Sequence, residues 1–291
     1  MDIALHLGVH LTDDGQLRGC LQANKRMLAE HGIVVPRSRS FQTLFRTAAS
    51  EIATGQPVHD FVADLSAAGG ASGATRRLVC STPALLCKLP EALEGGLRYP
   101  GAGARMAAYR RMLAPYPTEV FMAIRNPASF VPAVLAESEP ADRYEVLSRL
   151  RPDALRWSVL LEDIRKAWPE VPITVWCDED TPFIWHRLLR LLSGHKPKGE
   201  FDNSFAWFSS VMIAGGAEKL AAYLAARPNL DEDLRQQIIS AFLDKYGDDE
   251  KLDVDVSLTG WDEAQVDAIS ELYEQDMAVI AQMPGLRFIQ P

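Results

Sequence analysis

The sequence predicts an α/β fold of three layers, a mostly parallel central sheet flanked by helices, with a helical C-terminal extension. Three observations carry this. Short apolar strands alternate with amphipathic helices through the first two hundred residues, the pattern of a parallel sheet covered on both faces. The chain opens on a strand, a glycine-bearing loop and a helix. Beyond about residue 200 the periodicity becomes helical only. The expected division is therefore an α/β core over 1–200 and a mainly helical extension, packed on that core, over 201–291.

Taken in order, Ile3–Gly8 reads as a buried strand and Val9–Gly15 as a tight loop. A helix opens near Gln16 and runs to His31, with Leu17, Cys20, Leu21, Met27 and Leu28 on one stripe and Gly32 as its stop. Ile33–Val35, closed by Pro36, is a second short strand. Helical patches follow at 44–54 and 58–67, then a flexible break at 69–73. Arg77–Ser81 is a strand, and Pro83 suits the first turn of the helix after it. Residues 105–114 are helical and basic. Glu119–Ile124 is the clearest buried strand, after which Asn126 can cap a helix that Pro127 begins. An amphipathic helix over 152–167 leads to a strand at Val171–Cys177, and Thr181 with Pro182 opens a helix to Ser193. The extension carries helices at 214–226, 231–246 and 261–283, with an acidic linker at Asp248–Glu250.

Composition narrows the function classes. Of 291 residues, 39 are acidic and 30 basic, a net charge of −9, which disfavours a general nucleic-acid binder. No apolar run reaches the ~18 residues of a membrane span, and no leader-like segment opens the chain. Cys20, Cys80, Cys87 and Cys177 lie in apolar settings without a CxxC pair, so free thiols, a cytoplasmic location and no metal site are expected. Walker A, GxGxxG and GxSxG signatures are absent.

A strand, a glycine-bearing loop and a helix place backbone N–H groups around an anion. Yet the loop after Gly8 lacks a lysine and carries Asp13 and Asp14 where an anion would lie. The stretch His6-Leu7-Gly8-Val9-His10-Leu11-Thr12-Asp13-Asp14-Gly15-Gln16 resembles the motif His-Ile-Gly-x-x-Lys-Thr-Gly-Thr-Thr that opens the P-loop sulfotransferase superfamily, in particular its bacterial sulfotransferase-like proteins. Arg125-Asn126-Pro127-Ala128-Ser129-Phe130 resembles that family's second motif. Softer matches are Val175–Asp180, Tyr273–Asp276 and Pro284–Leu286.

The resemblance implies a sulfotransferase-like fold. It further implies transfer of a sulfonyl group from 3′-phosphoadenosine 5′-phosphosulfate to a hydroxyl or amine of a small-molecule acceptor. Gly8, Thr12, Gly15 and Gln16 would take the donor's 5′ side, Arg125 and Ser129 its 3′-phosphate, and His10 would serve as base. The departures are chemical. The family's lysine falls on Leu11, its Gly-Thr-Thr on Asp13, Asp14 and Gly15, and its later serine on Ala133. Two like charges ~4 Å apart repel by about 4 kcal/mol at an effective dielectric near 20. Two readings therefore stand: an active sulfotransferase, or a catalytically degenerate member of the fold that binds another ligand or a partner protein.

Plainer roles compete with each assignment. Asp13 and Asp14 suit capping of the helix that follows, and Asp178, Glu179 and Asp180 the same role for the helix at Thr181, rather than a metal site. Arg76, Arg77, Arg105, Arg110 and Arg111 read as solvated, and Trp176, Trp185 and Trp207 as packing. The C-terminal helices are the natural place for contact between copies of the chain.

Overall fold

The structure, a computed structural model, describes residues 1–54, 60–68, 74–96, 98–151, 154–196, 201–252, 256–258 and 261–291. Its strands are β1 (Asp2–His6), β2 (Ile33–Val34), β3 (Arg77–Ser81), β4 (Thr118–Ile124), β5 (Ile173–Cys177) and β6 (Leu286–Ile289). The helices of the first two hundred residues are α1 (Gln16–Ala23), α2 (Lys25–Glu30), α3 (Ser38–Ala53), α4 (Phe61–Ala68), α5 (Ala102–Met112), α6 (Pro127–Ala136), α7 (Pro140–Arg149), α8 (Trp157–Ala167) and α9 (Thr181–Ser193). Then come α10 (Ala206–Val211), α11 (Gly216–Ala225), α12 (Glu232–Tyr246), α13 (Asp249–Leu252) and α14 (Glu263–Ala281). The break expected at 69–73 lies outside the described residues.

All six strands are parallel, in the order β2-β3-β1-β4-β5-β6. Alternation along each strand sorts their side chains into two cores. Ile3, Leu5, Leu78, Val120 and Val175 pack with Phe41 and Phe45 of α3, Met106 of α5, and Leu161 of α8. Ala4, Val79, Phe121 and Trp176 pack on the other face with Leu17 and Leu21 of α1, and Ile184 and Leu188 of α9. The helix after β1 thus covers one face, and the helices after β3 and β4 the other. The C-terminal end of β1, flanked by β3 and β4, is a topological switch point, where open parallel sheets present a crevice.

Several sequence expectations change. The single helix over 16–31 is two. Buried Asn24 sits at the break and donates from Nδ2 to the carbonyls of Cys20 (2.8 Å) and Asp202 (2.7 Å), while its Oδ1 accepts from Asp202 N–H (2.9 Å). Arg77, expected on a solvated face, is 5% exposed. It pairs with Asp2 and donates to the carbonyls of Leu192 (3.0 Å) and Leu191 (3.1 Å) at the C-terminus of α9, where a cation is favoured. Residues 201–291 are mainly helical but also return a strand, β6, to the edge of the sheet beside β5.

The C-terminal return is held by a buried carboxylate. Asp276 of α14, 1% exposed, accepts from the Ser158 N–H at 3.1 Å and from the Ser158 hydroxyl, capping the first turn of α8 from 118 residues away. Near it lies Arg98, whose guanidinium stacks 4.2 Å above the Trp157 ring, with no hydrogen-bond partner among the described residues on any of its three nitrogens. Burial lowers the Arg98 pKa to about 9, against the pull of Asp276.

Candidate functional site

The loop between β1 and α1 turns sharply enough to need left-handed backbone at Gly8 (φ +53°) and Gly15 (φ +72°). It imposes the same conformation on Leu11 (φ +60°) and Asp13 (φ +46°). For side-chain-bearing residues this costs roughly 1–2 kcal/mol each. The loop's own contacts hold it there. Arg125, at the C-terminal end of β4, donates from Nη1 to the Leu11 carbonyl at 2.6 Å and from Nε to Ser129 Oγ at 2.9 Å. Ser129 Oγ in turn donates to the Asn126 carbonyl at 3.0 Å. Thr12, 6% exposed, spends its hydroxyl on the Val9 carbonyl at 2.7 Å. The Leu11 side chain is half-buried against the core beneath.

Asp13 folds back on the helix. Its Oδ2 accepts from the Leu17 N–H at 2.6 Å, and its own N–H donates to Asp178 Oδ1 at 2.9 Å. Gln16 N–H reaches the Asp13 carbonyl and Gly15 N–H the Thr12 carbonyl, so the Gln16 and Leu17 amides that open α1 are already engaged. The Gln16 side chain has no hydrogen bond among the described residues.

Asp178 braces the loop and Glu179 joins the start of α6 to Tyr273 of α14, while the Asp180 side chain makes no cap bond to α9. Asp178 accepts from Asp13 N–H and from the Thr181 hydroxyl (3.2 Å), and Glu179 accepts from Asn126 N–H (2.7 Å) and the Tyr273 hydroxyl (3.1 Å). Burial, with help from Asp13 and Glu179, pushes the Asp178 pKa up to about 8. Burial likewise raises Asp180 to about 6. Among the described residues no three His, Cys, Asp or Glu side chains form a metal-ligand group.

His10 is tied down by a residue that sequence spacing gave no means of finding. The Tyr99 hydroxyl accepts from His10 N–H at 2.8 Å and is hydrogen-bonded to His10 Nδ1 at 2.9 Å. These bonds fix the ring, and burial lowers the imidazole pKa to about 4. Tyr99 sits in an aromatic floor with Phe130 and Trp157, and Trp157 Nε1 donates to the Arg125 carbonyl at 2.8 Å. A sequence signal for this floor exists only as scattered aromatic residues.

Two crevices flank the loop. One, of about 580 Å³, lies on the β4–β5 side and is lined by Leu11, Asp13, Arg125, Ser129, Asp178 and Trp207, among others. The other, of about 290 Å³, lies between the ends of β1 and β3 and is lined by His6, Gly8, Gly15, Arg18, Ser81 and Pro83, among others. A larger hollow of about 1020 Å³ lies at the opposite end of the strands, around Asp2 and Thr118, away from the switch point. The predicted residues Gly8, His10, Thr12 and Gly15 lie on this loop, and Arg125, itself bonded to Ser129, reaches it through the Leu11 carbonyl.

Fold and site define an α/β protein with a parallel sheet whose switch-point loop is latched shut by its own side chains. Comparison with family models, with curated proteins and with solved structures finds no match. No described helix is long and apolar enough to cross a membrane. All four cysteines are buried and unpaired, and burial raises the thiol pKa of Cys20, Cys87 and Cys177 to about 12.

Proposed function

We propose that this chain is a sulfotransferase-fold protein that does not transfer sulfuryl groups and instead acts as a ligand-binding module built on the closed loop. The observation that carries the reading is the bond from Arg125 Nη1 to the Leu11 carbonyl, 2.6 Å long. Arg125 is the residue that the family resemblance assigns to a 3′-phosphate. Here a hydrogen bond to the loop and another to Ser129 occupy it.

The residues present do not suit 3′-phosphoadenosine 5′-phosphosulfate. A lysine that would offset the charge of the leaving phosphate is replaced by Leu11. The amide that would face a dianion at the start of α1 is given to the Asp13 carboxylate. Burial lowers the His10 imidazole pKa to about 4, which makes it a weak base for an acceptor's proton near neutral pH.

Titration calorimetry with 3′-phosphoadenosine 5′-phosphate tests this. The native chain is expected to show no heat of binding at micromolar concentrations, and Leu11→Lys/Asp13→Gly/Asp14→Thr to show binding. Micromolar binding by the native chain that disappears in Arg125→Ala would overturn the reading and restore sulfuryl transfer as the function.

A further inference from the structure

The crevice between β1 and β3 holds two polar groups that the loop's own bonding leaves out. His6, 5% exposed at the end of β1, bonds through Nδ1 to Ser81 Oγ at 2.9 Å, while its buried Nε2 has no hydrogen-bond partner among the described residues. That nitrogen points at Gly8: a methyl group built there would stand 3.8 Å from it. Arg18, in the first turn of α1, folds its guanidinium back over Gly15, so that a Cβ on Gly15 would meet Nη2 at 3.0 Å. Among the described residues Arg18 has neither an acid partner nor a hydrogen-bond acceptor. Two glycines thus keep the crevice open, and an imidazole nitrogen and a guanidinium face it.

We propose that this crevice binds a small organic carboxylate. Its two oxygens take the Arg18 guanidinium in a forked pair, and its body lies over Gly8 and Gly15 against His6 and Ser81. The proposal rests on the closed-loop reading, because it places the ligand on the Arg18 guanidinium and not on the Gln16 and Leu17 amides that open α1, which are engaged.

Charge selects the class. Arg18 is a single cation, and the Asp13 carboxylate lines the same crevice. A phosphate dianion would bring two charges against one cation and one carboxylate. A carboxylate brings one, and its planar pair of oxygens matches the guanidinium fork. His6, whose pKa burial and Arg18 together lower to about 4, is neutral near pH 7 and offers a hydrogen bond without adding charge. Size agrees: about 290 Å³ falls just under the roughly 300–1,000 Å³ of drug-sized ligand sites.

Sodium pyruvate is the probe, titrated into full-length chain carrying ¹³C-labelled histidine rings, with sodium chloride at matched ionic strength as reference. The His6 ring signal, assigned by its loss in His6→Gln, should move saturably with pyruvate and not with chloride. Arg18→Gln should weaken binding at least tenfold, while Arg111→Gln, on exposed α5 surface, should leave it within twofold. Thermal shifts in pyruvate, native against Arg18→Gln, read the same contrast if His6→Gln does not fold. The proposal fails if chloride moves the signal as far, if Arg18→Gln titrates like the native chain, or if sodium phosphate saturates at a tenfold lower concentration. A pyruvate failure without binding of 3′-phosphoadenosine 5′-phosphate overturns this site alone. Binding of that nucleotide by the native chain overturns the closed-loop reading instead.

Discussion

Asp13 combines a cost with a gain. Its left-handed backbone is unfavourable for most side chains, but aspartate tolerates that region better than β-branched or bulky residues. The carboxylate then captures the Leu17 amide at 2.6 Å. Asp13→Ala keeps the strained backbone and loses the acceptor, so it should cost about 1 kcal/mol. Asp13→Asn keeps both features and should stay within about 0.5 kcal/mol, both read by urea unfolding. Asp178 presents the opposite case, a carboxyl that the fold prefers protonated. Its pKa of about 8 lies above its unfolded value, so its stabilisation is complete at low pH and is lost as pH rises toward 8. Asn mimics the protonated form. Asp178→Asn should therefore be the more stable protein at pH 9 by at least about 1.4 kcal/mol, the worth of one pKa unit, and should lose that advantage near pH 4. An unchanged difference between the two pH values would contradict the assignment.

At the scale of elements, the first helix shows a limit of periodicity. Leu17, Cys20, Leu21 and Leu28 do fall on one buried stripe, as the spacing predicts. Periodicity is silent on Asn24, whose side chain competes for the helix carbonyl of Cys20 and joins it to Asp202. The cap on α8 is a second case. Ser158 carries no local signal of its partner, because Asp276 arrives on α14. Removing Asp276 would leave the Ser158 amide without its acceptor and the buried Arg98 without the carboxylate charge that holds its pKa up. Asp276→Ala should cost about 3–5 kcal/mol. Ser158→Ala, which keeps the amide bond, should cost about 1 kcal/mol by the same urea measurement. Equal losses in the two variants would show that Arg98 gains nothing from Asp276.

The whole molecule carries a pH signature of its buried groups. His6 and His10, both lowered to about 4, stabilise the fold above pH 6.5, and that stability is lost as pH falls toward 4. Asp178 and Asp180, raised to about 8 and 6, act in the reverse direction, their stabilisation fading as pH rises. Between pH 4 and 6 two groups oppose two, so their joint contribution is nearly flat. From 6.5 to 8, of these four groups, Asp178 alone still titrates, and their joint contribution to stability should fall. A melting-temperature profile should show this alkaline decline in the native chain and a flat line over the same range in Asp178→Asn. A native profile that rises from pH 6.5 to 8 would rule the scheme out.

The sequence alone determined the alternation of strand and helix, the position of nearly every strand and the place of the loop. These follow from local physics: apolar periodicity, glycine at left-handed turns, proline at first turns, asparagine as a cap. It also showed that the loop after Gly8 carries no lysine and two adjacent aspartates. Strand β6 escaped it, because Leu286–Ile289 alternates too briefly to be told from a loop and becomes a strand only by pairing with β5. Arg77 escaped it too, since the α9 carbonyls that bury it lie 114 and 115 residues away. Only the tertiary structure decided what each site residue does. The bonds from Arg125 to Leu11, His10 to Tyr99, Asp13 to Asp178 and His6 to Ser81 each join distant segments of chain. A side chain at a strand end can face a ligand or a neighbouring loop, and its choice depends on which donors and acceptors the fold brings within about 3 Å.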